Sequence, residues 1–271
     1  MPELPEVETT RRGLSPHLVG RKLINFTFRR AQLRWPIPTE QLQALEGETL
    51  LDIERRAKYL LFRFQSGTII GHLGMSGSMR IVSGATPVKK HDHVDFGFSD
   101  DKTLRYHDPR RFGAILFTGD CPELHPLIAS LGPEPLAESF NQDYLFDISR
   151  KRSTNIKTFI MNSAMVVGVG NIYASEALFM AGIRPTTAAG KISRERLGRL
   201  VASIKQVLAQ SIEQGGTTLR DFVNSDGAPG YFKQQLAVYG KATQKCSHCQ
   251  APIKVIKQSG RATYFCPLCQ R

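Results

Sequence analysis

The sequence lacks the long apolar run of a membrane-spanning helix, since no stretch approaches the roughly 20 consecutive apolar residues that such a helix needs. Its opening does not predict a secretory leader either. The opening MPELPEVETT carries acidic side chains where a signal peptide has a basic stretch followed by an apolar one. No internal repeat or low-complexity tract is visible. These absences predict a cytoplasmic globular protein with no membrane partner.

Cysteine is scarce over most of the chain, where a single one stands among the first 245 residues. The other four lie close to the C-terminus, as Cys246-x2-Cys249 and Cys266-x2-Cys269. This distribution argues against a disulfide framework and for a metal site in a reducing compartment. Two such pairs, sixteen residues apart, match a closed tetrahedral site of four thiolates and predict one structural zinc ion. His248 is a competing ligand, but the four cysteines already complete the shell.

Acidic residues are outnumbered by basic ones. Lys and Arg total 36 against 24 Asp and Glu, which gives a formal net charge of +12 and a pI near 9.7. Such a balance suits a polyanionic partner, and nucleic acid fits the sequence better than an anionic membrane. With 271 residues, of which 41% are hydrophobic, the chain is long enough for two domains that each bury a core.

The pattern of apolar residues changes along the chain. After an opening helix candidate, strands of a β-sandwich or barrel are predicted by the short alternating runs KLINFTFRR, TLLDIERR, YLLFRFQSGTIIGHLG, HVDFGFS and AILFTG. Beyond LGPEPLAESF the runs become helical, as in NIYASEALFMAG and RERLGRLVASIKQVLAQSIEQ. The chain is therefore predicted to be α+β, with domains at residues 1–132, 133–236 and 237–271.

The opening Met-Pro raises the question of why proline is the second residue. Proline is common in the first turn of a helix, and Pro5 can fill that role. A small second residue permits removal of the initiator Met, which would leave Pro2 as a free secondary amine. An α-amino group has a pKa of about 7.7 to 8.0, so an appreciable fraction is unprotonated at neutral pH. Such an amine attacks an aldehyde carbon to give an iminium ion, which is an electron sink. From the residues alone, the plain interpretation of Pro2 stays open beside the catalytic one.

Two loops between strands combine apolar and basic residues. HLGMSGSMR places Met75 in a glycine-bounded loop, and HDPRRFG places Arg110 beside Phe112. An apolar side chain at a loop tip next to arginine can wedge into a base stack and replace an extruded base. Met75 and Phe112 could equally be core residues beneath their loops. In ERRAKYLLF, Lys58 belongs to a basic group that could also be a solvated edge.

Two further segments carry candidate binding residues. VGVGNIYASEALF combines Gly168 and Gly170 with Asn171 at a helix start, where backbone N–H groups bind anions, and Lys157 upstream adds a positive charge. Between the cysteine pairs, IKVIK and ATYF alternate as strands, so that the SG between them predicts a hairpin turn with Arg261 near its tip. On spacing alone, Arg261 is more simply a solvated turn residue.

Taken together, these residues closely resemble the bacterial formamidopyrimidine-DNA glycosylase family. The motifs that match it in order along the whole chain are PELPEVET, RRAKYLLF, HLGMSGSMR, KHDHVDF, HDPRRFG, LGPEPL, VGVGNIYASEALF, GGTTLRDFVNSDGAPGYF and the four-cysteine finger ending in CQ. The resemblance implies two lobes, an N-terminal β-sandwich with a catalytic helix and a C-terminal helix-two-turn-helix lobe with a zinc hairpin. It also implies a monomeric base-excision repair enzyme that removes 8-oxoguanine and formamidopyrimidines from double-stranded DNA and cleaves abasic sites by β,δ-elimination.

The resemblance carries catalytic roles over residue by residue. It implies that Pro2 attacks the sugar C1′ of the flipped nucleotide and that Glu3 donates a proton. Lys58 matches the family's β-elimination residue, and Arg261 matches its finger arginine, which assists δ-elimination. Glu6, one helical turn from Glu3, is a second carboxylate at the site.

The same resemblance implies which residues bind DNA. Those that fill the gap opposite the estranged base are Met75, Arg110 and Phe112. Those that match the family's DNA-contact positions are His91, Arg110 and Arg152. Those that hold backbone phosphates near the lesion are His72, Lys157 and Asn171.

Two alternatives remain open. The sister enzyme endonuclease VIII shares the nucleophile and the finger but removes oxidised pyrimidines, and it has glycine in place of Leu4, so PELPE disfavours it. A catalytically silent zinc-finger DNA-binding protein would also account for the charge and the four cysteines. Pro2 and Glu3 argue against that second alternative.

Overall fold

Helix α1 (Leu4–Leu18) begins the fold, with Pro5 in its first turn as the sequence predicts. The computed structural model describes residues 2–215 and 236–271, so the motif GGTTLRDFVNSDGAPGYF lies outside the described residues apart from its first glycine. The chain divides into two units, of which the first runs to Ser130 and the second begins at Leu131. Among the described residues, no helix has both the length and the apolar character needed to cross a membrane.

The first unit contains two antiparallel four-stranded sheets, with strand orders β1-β6-β7-β5 and β2-β3-β4-β8. Their strands are β1 (Leu23–Phe28), β2 (Asp52–Arg56), β3 (Tyr59–Arg63), β4 (Thr68–His72), β5 (Ser78–Ser83), β6 (Asp92–Phe98), β7 (Lys102–His107) and β8 (Ala114–Thr118). Two short helices, α2 (Thr39–Gln43) and α3 (Pro126–Ala129), lie in its connections. The connections between neighbouring strands carry most of the candidate site residues of this unit.

One hydrophobic core joins the two sheets to α1. Phe62 of β3 and Phe96 of β6 stack with their ring centroids 6.2 Å apart, and Val7 and Leu14 of α1 belong to the same buried cluster. Because side chains alternate along a strand, the neighbours of these core residues lie on the outer faces of the sheets. The predicted β-sandwich with an N-terminal helix is confirmed, and the core fixes α1 against it.

The second unit is helical, as predicted. Its helices are α4 (Gln142–Ser149), α5 (Ile156–Ile160), α6 (Asn171–Met180) and α7 (Arg194–Glu213). Side-chain oxygens of Asn141, Asn155 and Ser193 accept the first free backbone N–H groups of α4, α5 and α7. Buried residues of α4, α5, α6 and α7 form a second hydrophobic core.

The C-terminal segment of the second unit forms the predicted hairpin. Strands β9 (Lys254–Gln258) and β10 (Arg261–Phe265) are antiparallel, and Arg261 pairs with Gln258 directly after the turn. Ser259 and Gly260 both have positive φ, 46° and 78°, which is the conformation of a tight two-residue hairpin turn. The hairpin therefore presents Arg261 beside its tip.

Candidate active site

The start of α1 holds Pro2 and two acidic residues. Pro2 and Glu3 are buried, and the Glu3 backbone N–H donates to Glu6 Oε2 at 2.8 Å. The Glu3 side chain accepts in turn from the Glu6 backbone N–H, so that the pair forms a capping box. Negative charge is stabilised at this end of a helix by the unpaired N–H groups and the helix dipole. The Glu3 backbone, and with it the adjoining Pro2, is therefore held in one orientation.

Lys58 lies in the two-residue turn that joins β2 to β3. The residue before it, Ala57, has φ +56°, a left-handed conformation that is strained for a residue with a side chain. Arg55 donates to the Ala57 carbonyl oxygen at 3.0 Å and to Glu8 Oε2 of α1 at 3.1 Å. One guanidinium thus joins the helix that follows Pro2 to the turn that carries Lys58.

His72 ends β4 and pairs in register with Tyr59, the residue that follows Lys58. Burial, then the positive charges of Lys58 and Arg34, lower the pKa of His72 to about 4. Its Nδ1 accepts the Gly74 backbone N–H at 3.0 Å, which places the proton of the neutral ring on Nε2. At neutral pH, His72 is therefore an uncharged hydrogen-bond donor beside the Lys58 turn.

Met75 and Phe112 lie outside the hydrophobic core of their unit. Met75 is 37% exposed and Phe112 is 46% exposed, which are high values for large apolar side chains. The Arg110 guanidinium lies 4.9 Å from the centroid of the Phe112 ring in a cation–π contact. The loops after β4 and β7 thus carry two exposed apolar groups and one cation.

His91 and Arg152 belong to different units. The His91 ring is half-buried and lies 5.9 Å from the ring of His107, centroid to centroid. Arg152 is exposed just beyond α4, where its carbonyl oxygen accepts the Gly190 backbone N–H at 3.0 Å. Its side chain therefore extends from a backbone segment that is held in place.

Lys157 and Asn171 lie together in the second unit, in contact with the hairpin. Lys157 is only 2% exposed, and its Nζ donates to Asn171 Oδ1 at 2.6 Å and to Thr263 Oγ1 at 2.9 Å. Both Lys157 and the Asn171 amide also donate to the carbonyl oxygen of Ala262, at 3.2 and 3.1 Å. These bonds fix β10 to α5 and α6 immediately beside Arg261, whose own side chain is exposed.

The four cysteines of the C-terminal segment form a metal centre. All four Sγ atoms lie within 4.8 Å of one another, with 3.9 Å between Cys246 and Cys269 and 3.4 Å between Cys249 and Cys266. A tetrahedral zinc with Zn–S bonds of about 2.3 Å requires sulfur–sulfur distances of about 3.8 Å. The residues fit one structural zinc ion. His248 is outside this cluster, and its ring contacts that of Phe179 at 4.9 Å.

The sequence does not indicate the roles of three charged residues that support the site. Arg55 stands there only in a basic group with Arg56 and Lys58, and its contact with Glu8 spans 47 positions of the chain, so no local pattern indicates it. Asp108 belongs to the HDPRRFG motif, where an Asp-Pro pair is a turn signal, and its side chain is fully buried. The last remaining cysteine, Cys121, lies apart from the cluster and donates its thiol hydrogen to Glu123 Oε2 at 2.6 Å.

Comparisons with known proteins cover both units. A family model of the formamidopyrimidine-DNA glycosylase N-terminal domain matches residues 1–115, and one of its H2TH domain matches residues 131–223. A model of the zinc finger found in FPG and IleRS matches residues 244–271. The formamidopyrimidine-DNA glycosylase of Methylococcus capsulatus is 57% identical to this chain over 271 residues, and the alignment covers 100% of each.

Solved structures agree with these matches. A Lactococcus lactis FPG mutant bound to Fapy-dG-containing DNA superimposes with a TM-score of 0.92 at 36% identity. MutM bound to DNA with carbocyclic 8-oxo-G superimposes with a TM-score of 0.91 at 37% identity. Both alignments cover 100% of this chain and of the solved chain.

The β-sandwich, the helical unit and the four-thiolate centre, with these likenesses, define a DNA-repair protein of the helix-two-turn-helix class. The chain belongs to the formamidopyrimidine-DNA glycosylase family. It is a base-excision repair DNA glycosylase and abasic-site lyase, and the resemblance found in the sequence is confirmed. The named relatives favour this family over endonuclease VIII and over a silent DNA-binding protein.

Proposed function

We propose that this glycosylase removes 8-oxoguanine and formamidopyrimidines from double-stranded DNA through a Schiff base between Pro2 and the deoxyribose. The observation that carries the proposal is the start of α1, where Pro2 precedes Glu3 and Glu6 Oε2 holds the Glu3 amide at 2.8 Å. Removal of Met1 would make Pro2 a secondary amine beside two buried carboxyl groups. The DNA lesions named for the solved relatives, Fapy-dG and 8-oxo-G, support the choice of substrate.

In the first step, the Pro2 nitrogen forms a bond to C1′ while the glycosidic bond breaks. The leaving base takes up the proton that the nitrogen loses, so that a neutral tertiary amine remains on C1′. Glu3 protonates the ring oxygen O4′, so that the sugar opens and the C1′=N bond carries a permanent positive charge. This division of roles requires a nucleophile and an acid side by side, which consecutive residues provide.

The iminium ion then permits strand cleavage, because it withdraws electrons from C2′. Loss of a C2′ proton breaks the C3′–O bond in the β-elimination, and Lys58 assists this step. Loss of a C4′ proton breaks the C5′–O bond in the δ-elimination. The guanidinium of Arg261, which stays charged and can bind a phosphate through two N–H groups, stabilises the second leaving phosphate.

The remaining candidates bind the substrate in this proposal. Met75, Arg110 and Phe112 fill the gap opposite the unpaired base, which their exposed positions permit. His72 donates Nε2–H to a phosphate as a neutral group. The other DNA contacts are His91, Arg152, Lys157 and Asn171. Lys157 contributes mainly through its charge at the start of α6, because its ammonium already binds three oxygen atoms.

We further propose that the protein acts as a cytoplasmic monomer. Its catalytic domain comprises residues 1–132, its helix-two-turn-helix domain residues 133–236, and its finger residues 237–271. The division of the described chain between Ser130 and Leu131 supports the first of these boundaries.

The test uses the full-length protein and a duplex with one 8-oxoguanine opposite cytosine. We expect release of the oxidised base and a one-nucleotide gap with phosphate at both ends, and no cleavage of the guanine duplex. Glu3→Gln cannot donate the O4′ proton, so it should lose ring opening and strand cleavage at 8-oxoguanine while it still cleaves a preformed abasic site, whose sugar opens without the enzyme. Glu40→Gln, at an exposed helical position, is the matched control. Strand cleavage of the 8-oxoguanine duplex by Glu3→Gln at the wild-type rate would overturn the assigned roles.

A further inference from the structure

Asp108 joins the two loops that carry the exposed apolar side chains. Its carboxylate is fully buried, with Oδ1 accepting from Ser76 Oγ at 3.2 Å and Oδ2 accepting from the Gly113 backbone N–H at 2.8 Å. Ser76 directly follows Met75, and Gly113 directly follows Phe112. One carboxylate thus holds both loops at positions next to their exposed residues.

The backbone of Asp108 extends this connection to a third segment. Its N–H donates to the His91 carbonyl oxygen at 3.0 Å, and its carbonyl oxygen lies 2.8 Å from His93 Nε2. The buried Tyr106 hydroxyl donates to Asp108 Oδ2 at 3.1 Å and lies 3.3 Å from the His72 carbonyl oxygen. The residues bonded to Asp108 or to Tyr106 therefore include two DNA-binding candidates, His91 and His72, and the direct neighbours of two more, Met75 and Phe112.

Close backbone packing makes the two loops one rigid piece. Gly74 has φ +65°, and a Cβ placed on it would lie 2.4 Å from the Gly113 nitrogen and 2.5 Å from the Phe112 carbonyl carbon. The loop before Met75 therefore contacts the loop after Phe112 with no side chain between them. A shift of either loop must displace the other, because packed interiors do not deform continuously.

We propose that Asp108 is a positioning residue for lesion recognition. It holds the loops at residues 73–77 and 108–113, here called the two-loop wedge, so that Met75, Arg110 and Phe112 are in place before DNA binds. The proposal rests on the proposed DNA-binding role of those three residues. Ordering side chains in advance lowers the entropic cost of inserting them into the base stack.

Asp108→Ala tests this proposal, because it removes the buried acceptor of the Gly113 N–H and leaves the Tyr106 hydroxyl with only the His72 carbonyl oxygen. Asp108→Asn is the conservative variant, since its amide oxygen can replace Oδ2 while its NH₂ donates to Ser76 Oγ. The matched control is Asp95→Ala, which removes a buried carboxylate of β6, the strand paired with β7. Asp95 binds Arg105 at 2.8 Å and touches neither loop of the wedge.

Two measurements separate positioning from general destabilisation. The first compares excision from 8-oxoguanine duplex with borohydride trapping on a single-stranded abasic oligonucleotide, which needs no insertion. The second follows 2-aminopurine fluorescence opposite a tetrahydrofuran site, which rises when the wedge unstacks that base. Asp108→Ala should lose at least about tenfold in duplex excision and most of the fluorescence rise, with trapping nearly unchanged. Asp108→Asn should recover most of both.

Three results would count against the positioning role of Asp108 or against the proposed function. Equal losses by Asp108→Ala and Asp95→Ala on both substrates would reduce Asp108 to a structural residue and overturn the proposal. If Asp108→Ala does not fold, Ser76→Ala, which frees only one loop, should show a smaller change in the same direction, and no change would be contrary. Failure of the wild-type protein to be trapped on abasic DNA would instead refute the proposed function itself.

Discussion

Arg55 Nε lies 3.1 Å from Glu8 Oε2, and this contact joins the helix that follows Pro2 to the turn that carries Lys58. The same guanidinium holds the carbonyl oxygen of Ala57, the strained residue of that turn. This partly buried ion pair fixes the helix that follows Pro2 relative to the Lys58 turn, and in the proposed mechanism Pro2 and Lys58 act on one sugar. A variant of Arg55 that keeps the positive charge but loses one of these two contacts separates its positioning effect from the effect of its charge.

We predict that Arg55→Lys slows both Schiff-base formation and elimination. Lysine keeps the charge but cannot bind Glu8 and the Ala57 carbonyl oxygen together in fork geometry. A displacement of about 1 Å between reacting groups can cost about 10²-fold in rate, so a loss of at least tenfold in single-turnover cleavage is expected. The matched control is Arg12→Ala, which removes an exposed partner of Glu8 within α1. Equal effects of the two variants would contradict the positioning role.

The pH dependence of stability should show that His72 is held neutral in the folded protein. The pKa of His72 is about 4 in the folded protein, below the usual 6.5. Between pH 4 and 6.5, the unfolded chain therefore binds a proton on this ring that the folded protein does not bind. The contribution of His72 to the free energy of unfolding is therefore complete above pH 6.5 and declines as the pH falls towards 4. His72→Gln should reduce the fall in melting temperature between pH 6.5 and 4, relative to each protein's value at pH 8. An unchanged pH profile would show that His72 is not held neutral.

Paired carboxylates such as Glu8 should cause a further loss of stability in acid. Burial raises the pKa of Glu8, but hydrogen bonds from Arg11 and Arg12 and the charges of Arg11 and Arg55 outweigh it, so the pKa lies below its usual 4.5. An acid with a lowered pKa stabilises the fold above its unfolded-state pKa and loses that effect as the pH falls below it. Stability should therefore continue to decline below pH 4.5, and Glu8→Gln should flatten this part of the curve. Melting curves of Glu8→Gln in acid that coincide with those of the wild type would contradict this prediction.

Short-range features of the fold could be predicted from the sequence, because neighbouring residues determine them. The SG turn of the finger, the first turn of α1 and the long amphipathic α7 are of this kind. Strands β5 and β7 are absent from the predicted runs. In β7, Arg105 is buried against Asp95 of the neighbouring strand β6, and a pattern of apolar residues cannot indicate this contact.

The same distinction applies to the site. Cysteine spacing predicts the metal centre, whereas Lys157 looks in the sequence like an accessible cation at an anion site. It is buried instead, because its ammonium binds Thr263, 106 positions further along the chain. The contact depends on how β10 packs against α5 and α6, and no spacing within α5 encodes it.

Arg261 should govern the products of strand cleavage. Arg261→Ala removes the proposed phosphate ligand and leaves the hydrogen bonds of Lys157 in place. Those bonds go to the backbone carbonyl oxygen of Ala262 and to the side-chain hydroxyl of Thr263. We expect weaker binding to abasic DNA and a shift from δ- towards β-elimination products on gels. Lys257→Ala is the control, since it removes an exposed charge from the opposite strand of the hairpin. A wild-type product ratio for Arg261→Ala would make it an ordinary solvated turn residue.

Zinc removal should unfold the finger. Structural zinc contributes on the order of 10 kcal/mol to the folding of such small units. The only other buried members of the hydrophobic cluster around Cys246 and Cys266, among the described residues, are Phe179, Val238 and Ile253. Chelation should abolish DNA binding, whereas Cys121→Ser should leave the zinc content unchanged. X-ray absorption should report four sulfur ligands at about 2.3 Å. Fewer than four sulfur ligands would contradict the all-thiolate site.

The most direct test of the account identifies the atom that attacks the sugar. The full-length protein is mixed with an 8-oxoguanine duplex, reduced with borohydride, digested and sequenced by mass spectrometry. We expect the trapped deoxyribose remnant to be attached to the nitrogen of Pro2, in a peptide from which Met1 has been removed. A remnant attached to Lys58, or an adduct on a protein that retains Met1, would contradict it.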